Sequence, residues 1–495
     1  MRLWQLELCG AALTALLLWA LFPPWNLAFL APVALTPLLY VLAHEPFGRT
    51  RFLWAWLCGT FYWGLTCYWI QAVLAEYGGL NLVLSWLALA LFAAAKGLIL
   101  GVFGWAVGFA LHRPFAIPAV AAAWTGLERL NGPQGFAWLT LGNAGIGMGV
   151  PLRLAPYTGV YGLSFVFAAL ATGATLVLLK RNRRELLWLA PLALAALLPA
   201  IELKKAPAEE AAVLQPAVKD HDTWTEAEKL RAFRQFSLTT LAQAFDPDRK
   251  KPALLIWPEV PAPFYYYADA EFRSHVTKIA QTARAPFLFG GVAFTPAGEP
   301  LNSAFFLTEE GRLAGRYDKI KLVPFGEFIP PLFHWIEKIS TEAGNYRAGE
   351  RVVIFNDGQH GVSAFICYES AFPDLVRQFA RDGGNILVNL TNDGYFGHRV
   401  ARQQHLFLVR MRAVENQRWL LRVANDGITA SVDPAGRLWD QLPPFQSVSG
   451  RLRFDWSREI TVYSRFGDWF AWLCLALGLG LSFGSYLWGQ RDFAM

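Results

Sequence analysis

Apolar residues gather into runs of two lengths, and the lengths separate two kinds of element. Long, nearly uncharged runs cover residues 8–22, 27–43, 52–75, 82–111, 115–130, 157–179, 186–203 and 469–488, and each predicts a membrane span. Between them, residues 204–468 carry short apolar stretches that alternate with mixed polar segments. There the pattern predicts strands at 212–214, 253–257, 286–292, 303–307, 352–355, 362–366, 385–390, 419–424, 428–432 and 447–454. Helices are expected at 225–244, 270–283, 372–381 and 401–417, which makes this region an α/β layered domain. Seven spans therefore precede a water-soluble domain and one follows it.

Phe22-Pro23-Pro24-Trp25-Asn26 reads as an aromatic interfacial turn between the first two spans. The first run could instead be a cleaved signal peptide, but no small-x-small cleavage site precedes Pro23, which favours an anchor. Arg2, Arg49, Arg51, His112, Arg113, Lys180, Arg181, Arg183, Arg184 and Arg491 all fall on one side, which is then the cytoplasm. The alternate loops 22–26, 76–81 and 131–156 carry almost no Lys or Arg apart from Arg153, so residues 204–468 are expected on the external face. Lys204 and Lys205 at that exit run against the trend.

Composition agrees, with 54% hydrophobic residues, 21 Trp and only 17% charged residues. The net charge of +6 has no polybasic run, which excludes nucleic acid as a partner. No His/Cys cluster has ligand spacing, so no metal or other cofactor is expected. Lys96 is the one charge deep in a span, read either as a bundle-facing lysine or as a functional one, and Glu128 with Arg129 reads as an ion pair. The glycines of 142–149 and 478–484 match no phosphate-loop spacing and read as turn and helix-packing residues.

Of five cysteines, Cys9, Cys58, Cys67 and Cys474 lie in apolar runs, leaving Cys367 as the sole thiol of the soluble domain. It ends the strand Gly-Val-Ser-Ala-Phe-Ile, ahead of a helix-compatible stretch, and so sits where a nucleophile elbow would place it near amides that favour a thiolate. The competing reading is a buried core cysteine. A nucleophilic thiol needs a base and an oxyanion partner. Glu259 follows the buried strand ending Trp257-Pro258, and Lys319 follows Tyr317-Asp318; each taken alone is an ordinary loop acid or surface lysine. Phe264 and Tyr265 come soon after Glu259, and Phe333 and Trp335 come after the lysine segment; they are either core or an interfacial lid. His405 is a candidate base or a supporting hydrogen-bond partner.

In order and context, Trp257-Pro258-Glu259, Tyr317-Asp318-Lys319 with Leu322 to Glu327, and Cys367-Tyr368-Glu369 resemble the Glu-Lys-Cys triad of the nitrilase superfamily. With seven spans before and one after, the whole chain resembles the apolipoprotein N-acyltransferase family of the bacterial inner membrane. The resemblance implies an α+β membrane protein, an eight-helix transmembrane bundle carrying a nitrilase-like αββα sandwich domain. It divides the chain at 1–203, 204–468 and 469–495. It implies Glu259 as general base, Cys367 as acyl-accepting nucleophile and Lys319 as the oxyanion's cation, with the Tyr368 amide completing the oxyanion hole. Glu327, Tyr368, Glu369 and Asn302 match supporting positions. The implied partners are a phospholipid acyl donor, a diacylated apolipoprotein acceptor and the bilayer, with the protein a monomer. Two other readings compete: a membrane-anchored amidase, for which eight spans are excessive, and a transporter with an external binding module, which would need paired charges inside its spans.

Overall fold

The computed structural model describes residues 3–132, 136–202, 206–219, 224–260, 265–329 and 345–492. The chain divides into two compact units, Met1–Ala200 with Phe466–Met495, and Ile201–Arg465.

The first unit is helical. Among its described residues, three helices, Leu82–Ala110, Val160–Leu178 and Trp469–Leu487, are each long and apolar enough to cross a membrane. Runs 8–22 and 115–130 each form one shorter helix, Leu3–Ala20 and Ala116–Asn131, whereas the remaining three depart from one uniform helix apiece. Run 27–43 splits into a 3-10 segment, Ala28–Val33, and a helix, Thr36–His44. Run 52–75 is shared between Gly48–Thr66 and Trp69–Glu76, and run 186–203 becomes a 3-10 helix, Arg183–Leu197. Hydropathy counts apolar side chains but is blind to Pro32 and Pro191, which lie inside the two 3-10 segments and remove backbone donors that an α-helical ladder would use.

Helices Gly48–Thr66 and Leu82–Ala110 pack backbone to backbone, because a Cβ on Gly59 would lie 2.9 Å from the Gly97 Cα. Lys96 is bundle-facing: its Nζ donates to the carbonyls of Asn131 at 2.8 Å and Phe136 at 2.9 Å and lies 4.6 Å from the Trp63 ring centre. The expected Glu128–Arg129 pair does not form. Consecutive helical residues point apart, so Arg129 pairs with Asp468 while Glu128 accepts the Leu141 amide at 2.6 Å and the Ser164 hydroxyl.

The second unit holds twelve strands among its described residues. In chain order they are β1 (Glu209–Gln215), β2 (Leu254–Ile256), β3 (Phe287–Phe294), β4 (Pro300–Leu307), β5 (Leu313–Asp318) and β6 (Ile354–Asn356). They continue as β7 (Gly361–Ile366), β8 (Ile386–Thr391), β9 (Leu420–Ala424), β10 (Ala430–Val432), β11 (Leu438–Gln441) and β12 (Val448–Phe454). They form two six-stranded sheets, ordered β12-β1-β2-β3-β4-β5 and β11-β10-β9-β8-β7-β6. Strands β1 to β3 run parallel, as do β7 to β9.

Period-two alternation assigns the faces. Leu255, Phe287, Phe289, Phe305 and Leu307 pack under helices Glu226–Ala244 and Ala270–Ala283, sharing a core with Phe233, Phe236, Phe272 and Val276. The intervening Phe306 points the other way and stacks on Phe355 of the second sheet, ring centres 5.2 Å apart. Helices Pro373–Arg381 and Ala401–Asn416 belong with the second sheet. Thr225 caps the first helix through a reciprocal box with Glu228. Strands β5 and β11 were not expected; both are sheet edges with polar, part-exposed sequences that hydrophobic patterning passes over.

Candidate active site

Strand β7 is buried and ends at Ile366, after which Cys367 takes a left-handed backbone with φ of 50°. That conformation costs a non-glycine residue about 1–3 kcal/mol, so neighbouring contacts must hold it. Residues Cys367–Ala371 form a 3-10 turn, and helix Pro373–Arg381 begins only after it, so the cysteine does not sit directly on that helix's first amides. Glu369 supplies much of the restraint. Its Oε2 accepts the Ile366 amide at 2.7 Å; its Oε1 accepts the Tyr317 hydroxyl at 2.7 Å and the Ile320 and Lys321 amides at 2.7 and 3.1 Å. One fully buried carboxylate thus clasps the elbow of the second sheet to the end of β5 in the first.

Lys319 follows β5; its amide donates to the Asn302 carbonyl on β4 at 2.8 Å. Glu259 follows the short strand β2, whose exit is fixed by buried Trp257, with Nε1 donating to Thr240 at 2.9 Å. The 258–260 turn lies flat on Gly290 of β3: a Cβ there would come within 2.5 Å of the Pro258 oxygen and 2.8 Å of the Glu259 Cα. The side chains then converge. Lys319 Nζ donates to Glu327 Oε1 at 2.8 Å and to Glu259 Oε1 at 3.3 Å. Asn302 Nδ2 donates to the same two oxygens, at 2.8 Å each. The Asn392 amide, just past β8, donates to Glu259 Oε2 at 2.7 Å, and the Val323 amide to Glu327 Oε2 at 2.8 Å.

Burial sets the charges. It raises the Glu259 carboxyl above its ordinary range, with Lys319 opposing and Glu327 adding to the rise. Burial alone would lower Lys319, but Glu259 and Glu327 outweigh it and hold the ammonium protonated, well above its usual range. The Cys367 thiol is pushed up by burial and by Glu259, with Lys319 and a hydrogen bond to Thr391 pulling it back. It rests as a neutral thiol beside a carboxylate that can take its proton and an ammonium that can offset a developing negative charge.

Among the expected residues, Glu259, Lys319, Glu327 and Asn302 share one hydrogen-bonded cluster with the Cys367 thiol in its field. Glu369 is the clasp described above rather than a member of it. Tyr368 is buried against Phe372, ring centres 5.1 Å apart. Tyr265 is exposed and leans on Phe294; Phe264, Phe333 and Trp335 lie outside the described residues. The sequence marks Asn392 only as part of a supporting loop that frames the elbow, and it does not single out as site members Thr391 or Tyr346, whose hydroxyl is pushed up to about 12 by burial and by Glu327 and Glu259. The Asn392-Asp393-Gly394 run after a buried strand was the signal for that loop, and Thr391 directly precedes it.

Residues 14–173 match the model of the apolipoprotein N-acyltransferase N-terminal domain, and residues 210–449 match that of carbon-nitrogen hydrolases. The apolipoprotein N-acyltransferase of Geobacter metallireducens is 30% identical, over 94% of this chain and 92% of its own length. The chain belongs to the apolipoprotein N-acyltransferase family. The relative of that name from Chlorobaculum tepidum is 28% identical over 94% of each chain. Among solved structures, an amidase from Nesterenkonia sp. is 19% identical, covering 53% of this chain and 94% of its own, with a TM-score of 0.39. Family membership makes the protein an acyltransferase of the nitrilase superfamily, its second unit bearing the carbon-nitrogen hydrolase fold.

Proposed function

We propose that this protein takes an acyl chain from a phospholipid onto Cys367 as a thioester. It then passes the chain to the α-amino group of the S-diacylglyceryl cysteine that begins an apolipoprotein. The observation that carries the reading is the convergence of Glu259 and Lys319, from separate strand ends, with Asn302 and Glu327 around a buried thiol, in a chain of this family. Glu259 takes the thiol proton as sulfur attacks the ester carbonyl. The tetrahedral oxygen anion is met by Lys319 Nζ and the Tyr368 amide, and the proton passes to the departing lysophospholipid oxygen. In the second half the neutral amine attacks the thioester, Glu259 receives its proton, and the thiol is restored. Exclusion of water favours transfer over hydrolysis.

The same reading places eight membrane crossings around the catalytic region 204–468, with that region periplasmic, both termini cytoplasmic, and a single chain sufficient. The 3-10 helix Arg183–Leu197 supports a seventh crossing, since fifteen residues at about 2.0 Å each reach about 30 Å. A phosphatase fused near Pro216 should be active and one fused after Arg491 inactive; the reverse pattern would overturn the topology.

The deciding experiment incubates detergent-solubilised protein with phospholipid alone and reads its intact mass. One added acyl chain is expected on the wild type, none on Cys367→Ala, and little on Cys367→Ser, whose oxygen is a weaker nucleophile at neutral pH. Absence of any adduct, together with sequential kinetics when lipoprotein is added, would refute the thioester.

A further inference from the structure

His405 lies outside the Glu259 cluster, and its ring is spent on the elbow's backbone. Its Nε2 is 3.0 Å from the carbonyl oxygen of Cys367. That oxygen can only accept, so Nε2 carries the proton. At the other ring nitrogen, Arg422 Nη2 lies 3.2 Å from Nδ1 while donating to Asp393 Oδ2 at 2.6 Å. Asp393 Oδ1, which accepts the Thr391 hydroxyl, stands 3.1 Å from the same Nδ1. Arg422 Nη1 donates to Asn389 Oδ1 at 2.6 Å, which turns the Asn389 amide nitrogen toward the Cys367 oxygen, 3.4 Å away. One buried guanidinium therefore sets two donors on a single carbonyl, and His405, Asp393, Arg422 and Asn389 are all buried.

The carbonyl so fixed shares a peptide plane with the Tyr368 N–H. In a trans peptide the two point in opposite directions, so locking the oxygen on one side aims the amide to the other. The restraint matters here because Cys367, at φ 50°, has left the β7 ladder that fixes peptide planes along the strand. We propose that His405 is a positioning residue that holds the Cys367–Tyr368 peptide so that the Tyr368 amide faces the oxyanion. This rests on the reading of Cys367 as the acylated nucleophile.

The test compares two reactions of the same thiol in the full-length protein. Acylation by dipalmitoyl phospholipid in detergent micelles develops an oxyanion; alkylation by iodoacetamide does not, although both need the thiol proton removed. His405→Leu should slow acylation by about 10²-fold, the scale of a lost oxyanion donor, while alkylation stays close to the wild-type rate. His405→Gln, which can present an amide N–H near the Nε2 position, should recover most of the acylation. If the leucine variant does not accumulate, His405→Asn, polar but too short to reach the oxygen, takes its place. Acylation and alkylation falling together, or glutamine doing no better than leucine or asparagine, would overturn the proposal. Acylation that persists in Cys367→Ala would instead remove the nucleophile assignment beneath it.

Discussion

Replacing Gly290 by alanine should displace Glu259, the proposed base, without touching any group proposed to react. The new Cβ would stand 2.5, 2.7 and 2.8 Å from the Pro258 oxygen, Val260 nitrogen and Glu259 Cα, all backbone atoms, where an ordinary contact begins at 3.4 Å. Relief requires a shift of about 0.6–0.9 Å from these separations. Glu259 is held at 2.8 Å by Asn302, 2.7 Å by Asn392 and 3.3 Å by Lys319, so such a shift weakens or breaks these bonds. A misplacement near 1 Å costs about 10²-fold in rate, or about 2.7 kcal/mol of barrier, with overpacking adding about 1–3 kcal/mol of lost stability. Initial acylation rates by phospholipid, read by intact mass beside a thermal melt, measure both. Gly298→Ala separates the two costs, because at φ 85° in the turn between β3 and β4 it strains the backbone while its Cβ meets open space, so it should lose stability and keep the acylation rate. A Gly290→Ala protein acylated within about threefold of wild type, where about 10²-fold is expected, would refute the claim that this close packing positions the base.

The acylation rate should fall as pH drops through the raised Glu259 pKa, so its acid limb should lie above the ordinary carboxylate value of 4.5. Glu259→Gln should be slow and lack that limb; a limb unchanged in the glutamine variant would assign it to another group. Glu369→Gln sets an amide nitrogen against at least one of the donors from Tyr317, Ile320, Lys321 and Ile366. It should lower stability by about 1–3 kcal/mol, and an unchanged melting temperature would show that the clasp is not needed. Glu259→Ala and Lys319→Ala should each abolish transfer while leaving folded protein. Their double mutant should lose far less than the product of the two losses, because the two residues act as one unit. Full multiplication of the losses would count against a shared site.

The alternating core strands and the helices with clear caps could be read from the chain alone, because each states its own period and boundary. Helix Ala270–Ala283 was expected at its observed limits. The edge strands β5 and β11 were not legible, since an edge needs no apolar face of its own. The 3-10 segments escaped because hydropathy carries no measure of rise per residue. Glu259, Lys319 and Cys367 were visible as motifs at strand ends. The hydrogen bonds that join Glu259 and Lys319 to Asn302 and Glu327 were not, as they depend on the order of β2 to β5 in the first sheet, and the approach of Cys367 depends on how the two sheets face each other. Arg422 offered an unused clue: an arginine at an inward position of a buried strand must find a carboxylate, and Asp393 is that partner.

The antiparallel pairing of β1 with β12, Glu209 opposite Phe454, bears on how the protein is made. The first strand of the second unit to leave the ribosome waits for the last one, and every residue proposed for chemistry lies in the loop they close. The first sheet cannot be completed while synthesis is still short of residue 454, and closing so long a loop is slow and entropically costly. Until then the flank of β1 that β12 will cover stays open to pairing with a foreign strand. Chains that stop before β12 should therefore be targets of quality-control proteolysis rather than reservoirs of partial activity, although they contain Glu259, Lys319 and Cys367.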